Sequence, residues 1–395
     1  MIASLPATKS ASFTASLAGL NTPAALLDES RLDRNIARMQ AQMNRLGVRF
    51  RPHVKTAKSW PVTQRQLAAG AAGITVSTLK EAEQFFAAGV KDILYAVGIA
   101  PNKFAAALDL RRRGCDLKLL TDSPGIAQAL AAFGRSNHHW FELLVEIDSD
   151  GHRAGLKPQD PVLLELAQML VQEQGADGGA RLAGAMTHAG ASYELQGYEA
   201  LARMAEQERS RCVEAAERLR VAGHACEIVS VGSTPTALAA ESLAGVTEVR
   251  AGVYAFFDLV MANVGVCTFD DIALSVLTSV IGHQPEKGWA IVDAGWMAMS
   301  RDRGTQAQGH DYGYGQVCDA NGSPLPGLLM TGANQEHGIL SYAGETAHDI
   351  VSRLPVGTLL RILPNHACAT AAQYESYHLL RGASEPEVWP RFGGW

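Results

Sequence analysis

Hydrophobic and polar positions follow two alternating periods over most of the chain. Between residues 33 and 265, short runs rich in β-branched and other apolar residues alternate with stretches that have the apolar spacing of an amphipathic helix. The runs predict eight strands, at residues 48–55, 73–77, 92–97, 117–121, 141–147, 182–188, 227–232 and 248–254. The helical stretches include residues 32–46, 79–88, 102–113 and 198–221. Eight strand–helix units of this length predict a TIM-type (β/α)8 barrel.

The pattern changes after residue 265. Runs at residues 273–281, 289–293, 327–331 and 358–363 predict strands, with Gly and Pro between them and no strong helical period. A further strand is predicted at residues 22–27, ahead of the first barrel helix. We therefore expect an α/β protein with a barrel over residues 33–265 and a second, mostly β domain formed by residues 1–32 and 266–395.

Composition and charge limit the functions that the chain could have. The 395 residues, 47% of them hydrophobic and 38 of them glycine, are enough for two domains with separate cores. A net charge of -6 argues against a nucleic-acid or anionic-membrane partner, because either would favour a basic surface. The chain has no apolar run of transmembrane length, and its first twenty residues lack the pattern of a secretory signal.

The six cysteines favour a reducing compartment. They form no CxxC pair and no repeated spacing, so they indicate neither a disulfide framework nor a structural zinc knuckle. We expect a cytoplasmic protein. Five of the cysteines are predicted to be small buried hydrophobic residues, and Cys368 is set apart by its neighbours.

Lys55 is the first candidate for chemistry. It is the last residue of the first predicted barrel strand, and side chains at the C-terminal ends of barrel strands face the pocket in which such folds carry their active sites. There the unprotonated amine can form a Schiff base with a carbonyl. A solvated loop lysine is the alternative, and for a lone lysine it is the more common case.

A second motif changes that balance. After the seventh predicted strand comes GSTPT at residues 232–236, where a glycine lets the backbone approach an anion and two hydroxyl residues add donors. Gly252, in the eighth predicted strand, would lie beside the same face. A Gly-Ser-Thr triplet is also ordinary turn chemistry. Together with Lys55, however, it predicts a carbonyl cofactor that carries a phosphate, which is pyridoxal 5'-phosphate (PLP).

His366 and Cys368 form a third candidate. Two residues apart on a strand, an imidazole and a thiolate would point to the same face and would suit zinc. Burial of both side chains without metal is the alternative, because an HxC pair supplies two ligands only.

Four segments together resemble one family. They are RPHVKT at residues 51–56, EIDSDGHRAG at residues 146–155, GSTPT at residues 232–236 and PNHAC at residues 364–368. Across nearly the whole chain, the sequence resembles the fold-type III PLP enzymes, which have an alanine racemase-like barrel and a β domain. Within them it is most similar to the D-serine dehydratase and D-threonine aldolase group.

The resemblance implies roles for individual residues. Lys55 would hold the cofactor and act as the base at the substrate α-carbon. Arg153 and Tyr193 would lie near the pyridine ring. His366 and Cys368 would bind a divalent metal, zinc before manganese, magnesium or cobalt. The phosphate would be bound largely through backbone amides by Gly232, Ser233, Thr234, Gly252 and Tyr254.

The resemblance also implies an activity. Cysteine at position 368 resembles the dehydratases of the group, whereas the aldolases have aspartate there. The expected reaction is elimination of water from a D-3-hydroxy amino acid: D-threo-3-hydroxyaspartate would give oxaloacetate and ammonia, and D-serine would give pyruvate. A D-threonine or 3-hydroxy-D-aspartate aldolase, which gives glycine and an aldehyde, is the main alternative. A racemase and a non-catalytic PLP carrier rank lower.

Two points stay open at this stage. A β-carboxylate on the substrate would need a cation, and Arg301, Arg303, His152 and His188 are all candidates. By analogy with the fold type we expect a homodimer in which the partner's β domain completes the active site.

Overall fold

A computed structural model of the chain describes residues 17–342, 349–382 and 384–395. The described strands are β1 (Ala24–Asp28), β2 (Arg49–Phe50), β3 (Ile74–Val76), β4 (Asp92–Gly98), β5 (Asp116–Thr121), β6 (Trp140–Ile147), β7 (Gly179–Thr187), β8 (Ile228–Val231), β9 (Glu248–Val249), β10 (Leu274–Gln284), β11 (Trp289–Val292), β12 (Gly315–Asp319), β13 (Pro324–Ala333), β14 (Gly338–Tyr342), β15 (Leu359–Pro364), β16 (Ser376–Leu380) and β17 (Glu387–Pro390).

The described α-helices are α1 (Glu29–Leu46), α2 (Trp60–Ala68), α3 (Leu79–Ala87), α4 (Phe104–Arg112), α5 (Pro124–Ser136), α6 (Val162–Gln172), α7 (Tyr198–Val221), α8 (Thr234–Ala239), α9 (Leu259–Val264), α10 (Trp296–Met299), α11 (Ile350–Arg353) and α12 (Ala367–Ala371). Short 3-10 turns add Pro101–Lys103, Gly190–Tyr193, Val253–Ala255, Phe269–Asp271 and Pro285–Lys287. None of the helices in the described part of the chain is both long and apolar enough to cross a membrane.

The chain divides into two compact units. One contains Asn35–Ala255, Val264–Val266 and Gly393–Trp395, and the other contains the described residues up to Arg34, those of Phe256–Asn263 and those of Cys267–Phe392. Residues 1–16, which belong to the predicted β domain, lie outside the described residues.

The first unit is a parallel barrel. Its eight strands pair in the order β2-β9-β8-β7-β6-β5-β4-β3. The two ends of this sheet meet where Thr75 N donates to Pro52 O at 2.8 Å and Val54 N donates to Thr75 O at 3.0 Å. The predicted barrel is confirmed, and the helix predicted at residues 198–221 has those bounds as α7.

Two of the predicted barrel strands are too long by several residues. The strand predicted at residues 48–55 ends as a regular strand at Phe50; beyond it Arg51 N and His53 N still donate to Val249 O and Ala251 O at 2.9 and 2.8 Å, while Pro52 has no N–H to donate. The strand predicted at residues 248–254 ends at Val249, and Val253–Ala255 forms a 3-10 turn instead. Both ends fall at the side of the barrel where a TIM-type active site lies.

The second unit is mostly antiparallel β structure, as predicted. Six strands pair in the spatial order β10-β11-β14-β13-β12-β15, and β15 also pairs with β10, so these strands form a closed ring. Its interior holds buried apolar side chains from several strands, among them Val276, Val292, Met330 and Ile362. β1 pairs with β10 and extends the sheet, β16 pairs with β1, and β17 pairs with β16 at the edge.

Four strands of this unit are absent from the sequence prediction: β12, β14, β16 and β17. They are at most five residues long, so their apolar runs carry little periodic signal, and they are stabilised by pairing with distant segments. The six cysteines are free thiols. Of the five predicted to be buried, Cys267 is half-buried instead.

Candidate functional site

Lys55 lies in a turn rather than on a strand. The turn begins after the bridge between His53 and Thr75 that closes the barrel, and Lys58 N donates to Val54 O across it at 2.9 Å. The side chain of Lys55 is half-buried. The position is that of a loop at the C-terminal face of the barrel, where the sequence predicted the lysine to act.

Two histidines beside Lys55 are held neutral. Burial is the main cause that lowers the pKa of His53 well below its usual value, and repulsion from Lys55 adds to it. Burial likewise lowers the pKa of His188 to about 3, with repulsion from Arg250, Arg153 and Lys55 as smaller causes. His188 is therefore wrong as a candidate cation for a substrate carboxylate.

The tautomer of His188 follows from its hydrogen bond. Its Nδ1 lies 2.9 Å from the carbonyl oxygen of Gly232. A carbonyl oxygen only accepts, so Nδ1 carries the proton and Nε2 keeps a lone pair. His53 contacts Ser77 Oγ through Nε2 at 3.3 Å, and its buried Nδ1 has no hydrogen-bond partner among the described residues.

The loop before α8 has the conformation expected of an anion site. Ser233 caps the helix: its Oγ accepts from Thr236 N at 3.3 Å, and its own N–H donates to Thr236 Oγ1 at 3.0 Å. Gly232 has a φ of +129°, and a Cβ there would lie 2.3 Å from the carbonyl oxygen of Arg250. Only glycine fits this position.

The predicted phosphate ligands are not equivalent. The Gly232 amide donates to Glu208 Oε1 at 3.1 Å, and the Tyr254 amide donates to Thr234 Oγ1 at 3.2 Å. The Tyr254 hydroxyl is buried and accepts from Gln66 Nε2 at 2.8 Å. Among the described residues, the amides of Thr234 and Gly252 have no acceptor, so they are the groups left to receive an anion.

Gly252 leaves room beside the loop. A Cβ at Gly252 would lie 3.1 Å from the carbonyl oxygen of His53, and 3.4 Å from Thr56 Oγ1. A half-buried lysine, two unpaired amides and the buried, unpartnered His53 Nδ1 thus occur at one face of the barrel. This set of groups fits PLP, which needs an amine partner and a phosphate site.

Arg153 and Tyr193 lie near the same histidine. The ring centroids of Tyr193 and His188 are 6.0 Å apart, and the charge of Arg153 acts on both His188 and Glu146. Burial, aided by repulsion from Asp122, raises the pKa of Glu146 to about 7 against the opposing effect of Arg250 and Arg153. The sequence pointed to Arg153 and Tyr193 but assigned no role to Glu146.

In the other unit, His366 and Cys368 are not on a strand, and that prediction is wrong. β15 ends at Pro364, His366 is the N-terminal capping residue of α12, and Cys368 is in the first turn of this helix. The cause is a distant carboxylate: Asp258 Oδ2 accepts from Ala367 N at 2.9 Å and so stabilises the start of the helix.

The two side chains nevertheless meet. His366 and Cys368 share a side-chain hydrogen bond, and His366 Nδ1 lies 2.6 Å from Asp302 Oδ2. Burial opposes protonation of His366, but the contacts with Asp302 and Cys368 outweigh it and raise its pKa to about 11. Imidazole and thiolate together suit a borderline-soft divalent ion.

The pair would be an open metal site. Within residues 17–342, 349–382 and 384–395, no three His, Cys, Asp or Glu side chains are arranged to hold a metal ion. Two protein ligands leave the remaining positions to water or substrate, as a catalytic ion requires. Asp302 is the residue here that the sequence did not identify, since nothing local links it to a histidine 64 positions away.

Two candidate cations flank Asp302. Arg303 Nη2 lies 2.8 Å from Asp311 Oδ2, and the Arg301 guanidinium stacks 4.5 Å from the ring centroid of Trp296. His152, the remaining candidate, is exposed in the loop after β6.

Fold and site residues together define an alanine racemase-like enzyme with a second, β-structured domain. Residues 27–260 match the alanine racemase N-terminal domain, and residues 273–380 match the serine dehydratase domain. The chain belongs to the family that combines these two domains.

Individual relatives are dehydratases and aldolases. The chain is 63% identical to the D-threo-3-hydroxyaspartate dehydratase of Delftia sp. (strain HT23), over 95% of this chain and 98% of the relative. It is 30% identical to the D-serine dehydratase of Dictyostelium discoideum, over 93% and 95% of the two chains. A D-threonine aldolase of Arthrobacter sp. is 29% identical, over 94% and 92%.

The Delftia enzyme also has solved structures. One covers 96% of this chain and 99% of its own, with a TM-score of 0.94 and 62% identity. A second is a cysteine-to-alanine variant described as the metal-free form, and a third is a histidine-to-alanine variant.

Proposed function

We propose that the protein is a lyase, a PLP- and divalent-metal-dependent dehydratase that eliminates water from a D-3-hydroxy amino acid. D-threo-3-hydroxyaspartate is the proposed substrate, with oxaloacetate and ammonia as products, and D-serine is the second candidate. The observation that carries the proposal is 63% identity, over nearly the whole chain, to a dehydratase of that substrate.

The barrel unit would bind the cofactor. Lys55 Nζ would hold PLP covalently, and the free amides of Thr234 and Gly252 would donate to its phosphate. Gly232 and Ser233 would shape the loop, Tyr254 would support it through Thr234, and Arg153 and Tyr193 would line the ring side. PLP supplies an electron sink for the negative charge that develops at the substrate α-carbon.

Proton transfer falls to the residues around that site. Lys55 Nζ, when its amine is unprotonated, would take the α-proton of the substrate. The neutral His53 and His188 leave Lys55, Arg153 and Arg250 as the nearby cations, and the lone pair on His188 Nε2 can accept a hydrogen bond.

The other unit would bind the metal. Cys368 Sγ and His366 Nε2 would be the protein ligands, because His366 Nδ1 is engaged by Asp302. A thiolate favours zinc, and manganese, magnesium and cobalt are the alternatives. The metal-free cysteine variant of the Delftia enzyme supports a metal role for a cysteine in this family. A divalent ion supplies Lewis-acid assistance to departure of the β-hydroxyl.

The compartment, the oligomeric state and the partners complete the proposal. The protein would act in the cytoplasm, as a homodimer, on a small-molecule substrate and with no nucleic-acid or membrane partner. Arg301 and Arg303, which flank Asp302, and the exposed His152 remain the candidates for the β-carboxylate. Sedimentation of the active enzyme as a monomer would contradict the dimer.

A product assay tests the function. Purified enzyme, supplied with zinc and PLP, is given D-threo-3-hydroxyaspartate, D-serine and D-threonine in parallel. Ammonia with oxaloacetate or pyruvate supports the dehydratase, and the relative rates identify the substrate. Glycine with an aldehyde would instead make the protein an aldolase, despite Cys368.

A chelation experiment tests the metal. EDTA should abolish elimination while the absorbance of bound PLP persists, and added zinc should restore the activity. Full activity after verified removal of metal would reject a catalytic role for His366 and Cys368.

A further inference from the structure

Glu208 is a buried carboxylate that the proposed chemistry does not use. It lies on α7 and is 2% exposed. Its Oε1 accepts from the amides of Ala189 at 2.7 Å and Gly232 at 3.1 Å, and its Oε2 accepts from Thr236 Oγ1 at 2.7 Å. One side chain therefore receives three hydrogen bonds, two from the loops after β7 and β8 and one from the first turn of α8.

The position is costly for a charge. Of the buried residues of α7, a helix that is described in full, Glu208 alone is charged, and the others are Leu201, Ala205, Cys212, Val213, Ala215, Ala216 and Leu219. A carboxylate in such a setting destabilises the fold unless hydrogen bonds compensate for its lost hydration. An apolar residue would serve helix packing better, so the carboxylate is explained by its contacts with the loops.

The two loops are those that follow β7 and β8. Ala189 sits between His188 and the turn that carries Tyr193, while Gly232 begins the proposed phosphate loop. Direct contacts run between the same loops: Ser192 Oγ lies 2.8 Å from Ser233 Oγ, and His188 Nδ1 lies 2.9 Å from Gly232 O. Glu208 thus contacts both loops from α7 and sets the spacing between them.

Glu208 also decides which amides remain free. It engages the Gly232 amide directly, and through Thr236 Oγ1 it supports the group that receives the Ser233 amide. The next amide along the loop, that of Thr234, is left without an acceptor among the described residues. The carboxylate therefore holds the loop in the form that presents Thr234.

We propose that Glu208 is a positioning residue for the cofactor phosphate, acting through the loops after β7 and β8 without touching PLP itself. This inference rests on the proposed function, because it assumes that the Thr234 and Gly252 amides bind the phosphate. Its effect should be specific for ligands that carry a phosphate.

The test compares PLP with pyridoxal, which lacks the phosphate. The dissociation constant of each is measured by absorbance titration of the apoprotein for wild type, Glu208→Ala and Glu208→Gln. Glu208→Ala should weaken PLP binding by about ten- to a hundredfold while pyridoxal binding changes little. Glu208→Gln should have a smaller effect of the same kind, since its one oxygen can still accept from both amides.

The controls separate this inference from folding and from the proposed function. Glu206→Gln, on the exposed side of the same helix and paired with Arg209, should leave both dissociation constants unchanged. If Glu208→Ala fails to fold, the role of Glu208 is tested by Glu208→Gln, from the ratio of its dissociation constants for PLP and pyridoxal. An unchanged ratio in a folded variant overturns the role of Glu208, whereas a wild-type apoprotein that binds no PLP overturns the proposed function.

Discussion

His366 donates from Nδ1 to the carboxylate of Asp302, with 2.6 Å between Nδ1 and Oδ2. The two residues come from segments that are distant in the sequence. The contact fixes the orientation of the imidazole ring and leaves Nε2 as the nitrogen that is not engaged by Asp302. Metal-binding histidines commonly have such a carboxylate partner, which raises the basicity of the ligating nitrogen.

Asp302→Asn should therefore weaken metal binding. The amide can keep the ring in place but removes the negative charge, so we expect about a tenfold or greater rise in the zinc dissociation constant. Competition with a chromophoric chelator measures it without reference to activity. Asp311→Asn, a neighbouring carboxylate paired with Arg303, is the matched control and should bind zinc as wild type does. Equal affinities for Asp302→Asn and wild type would contradict the role of Asp302.

Lys55→Ala should remove the covalent attachment of PLP. The visible absorbance of cofactor bound to an amine should be lost, and the elimination rate should fall by about a thousandfold or more, because the base is absent. Circular dichroism should show an unchanged fold, since the side chain is half-buried in a turn. Persistence of the absorbance band in the variant would mean that another lysine holds PLP.

Gly232→Ala should destabilise the loop before α8. The new Cβ would meet the Arg250 carbonyl oxygen at 2.3 Å, and φ is +129°. We expect a loss of about 2 kcal/mol or more in the free energy of unfolding, together with weaker PLP binding. Urea denaturation measures the first and cofactor titration the second.

Gly223→Ala is the matched control for that variant. Gly223 has a φ of +88°, but a Cβ there would meet nothing within 4 Å. Its loss in the free energy of unfolding should reflect backbone strain alone, and its PLP binding should be unchanged. Equal losses in the two variants would mean that the clash with Arg250 contributes nothing.

The neutral His188 predicts a dependence of stability on pH. Its folded pKa of about 3 is below the value of about 6.5 in the unfolded chain, so unfolding takes up a proton between these pH values. Its contribution to stability is present above pH 6.5 and is lost as the pH falls towards 3, by at most about 1.4 kcal/mol per pH unit.

His188→Asn isolates that contribution. The asparagine amide can still donate to Gly232 O but does not titrate. The apoprotein variant should lose less free energy of unfolding than wild type when the pH is lowered from about 6.5 to 4.5. Urea denaturation at several pH values measures the difference, and parallel curves for the two proteins would show that His188 is not buried in its neutral form.

Much of the fold could be predicted because its signals are local. The eight βα units appear as a change of hydrophobic period, and α7 has the bounds that its apolar spacing predicts. The errors occur where distant contacts override the local pattern. Asp258 starts a helix at Ala367 where a strand was expected, and β16, which was not predicted, pairs with the distant β1.

The sequence by itself determined the barrel, the β domain and the set of chemical groups: an amine at Lys55, a Gly-Ser-Thr loop and an HxC pair. Each depends on residue type and on short spacing, which the chain carries locally. Only the tertiary structure decided how these groups are oriented. The Gly232 amide turns to Glu208, the Tyr254 hydroxyl to Gln66 and the His366 ring to Asp302, because buried polar groups take the partners that folding brings within reach.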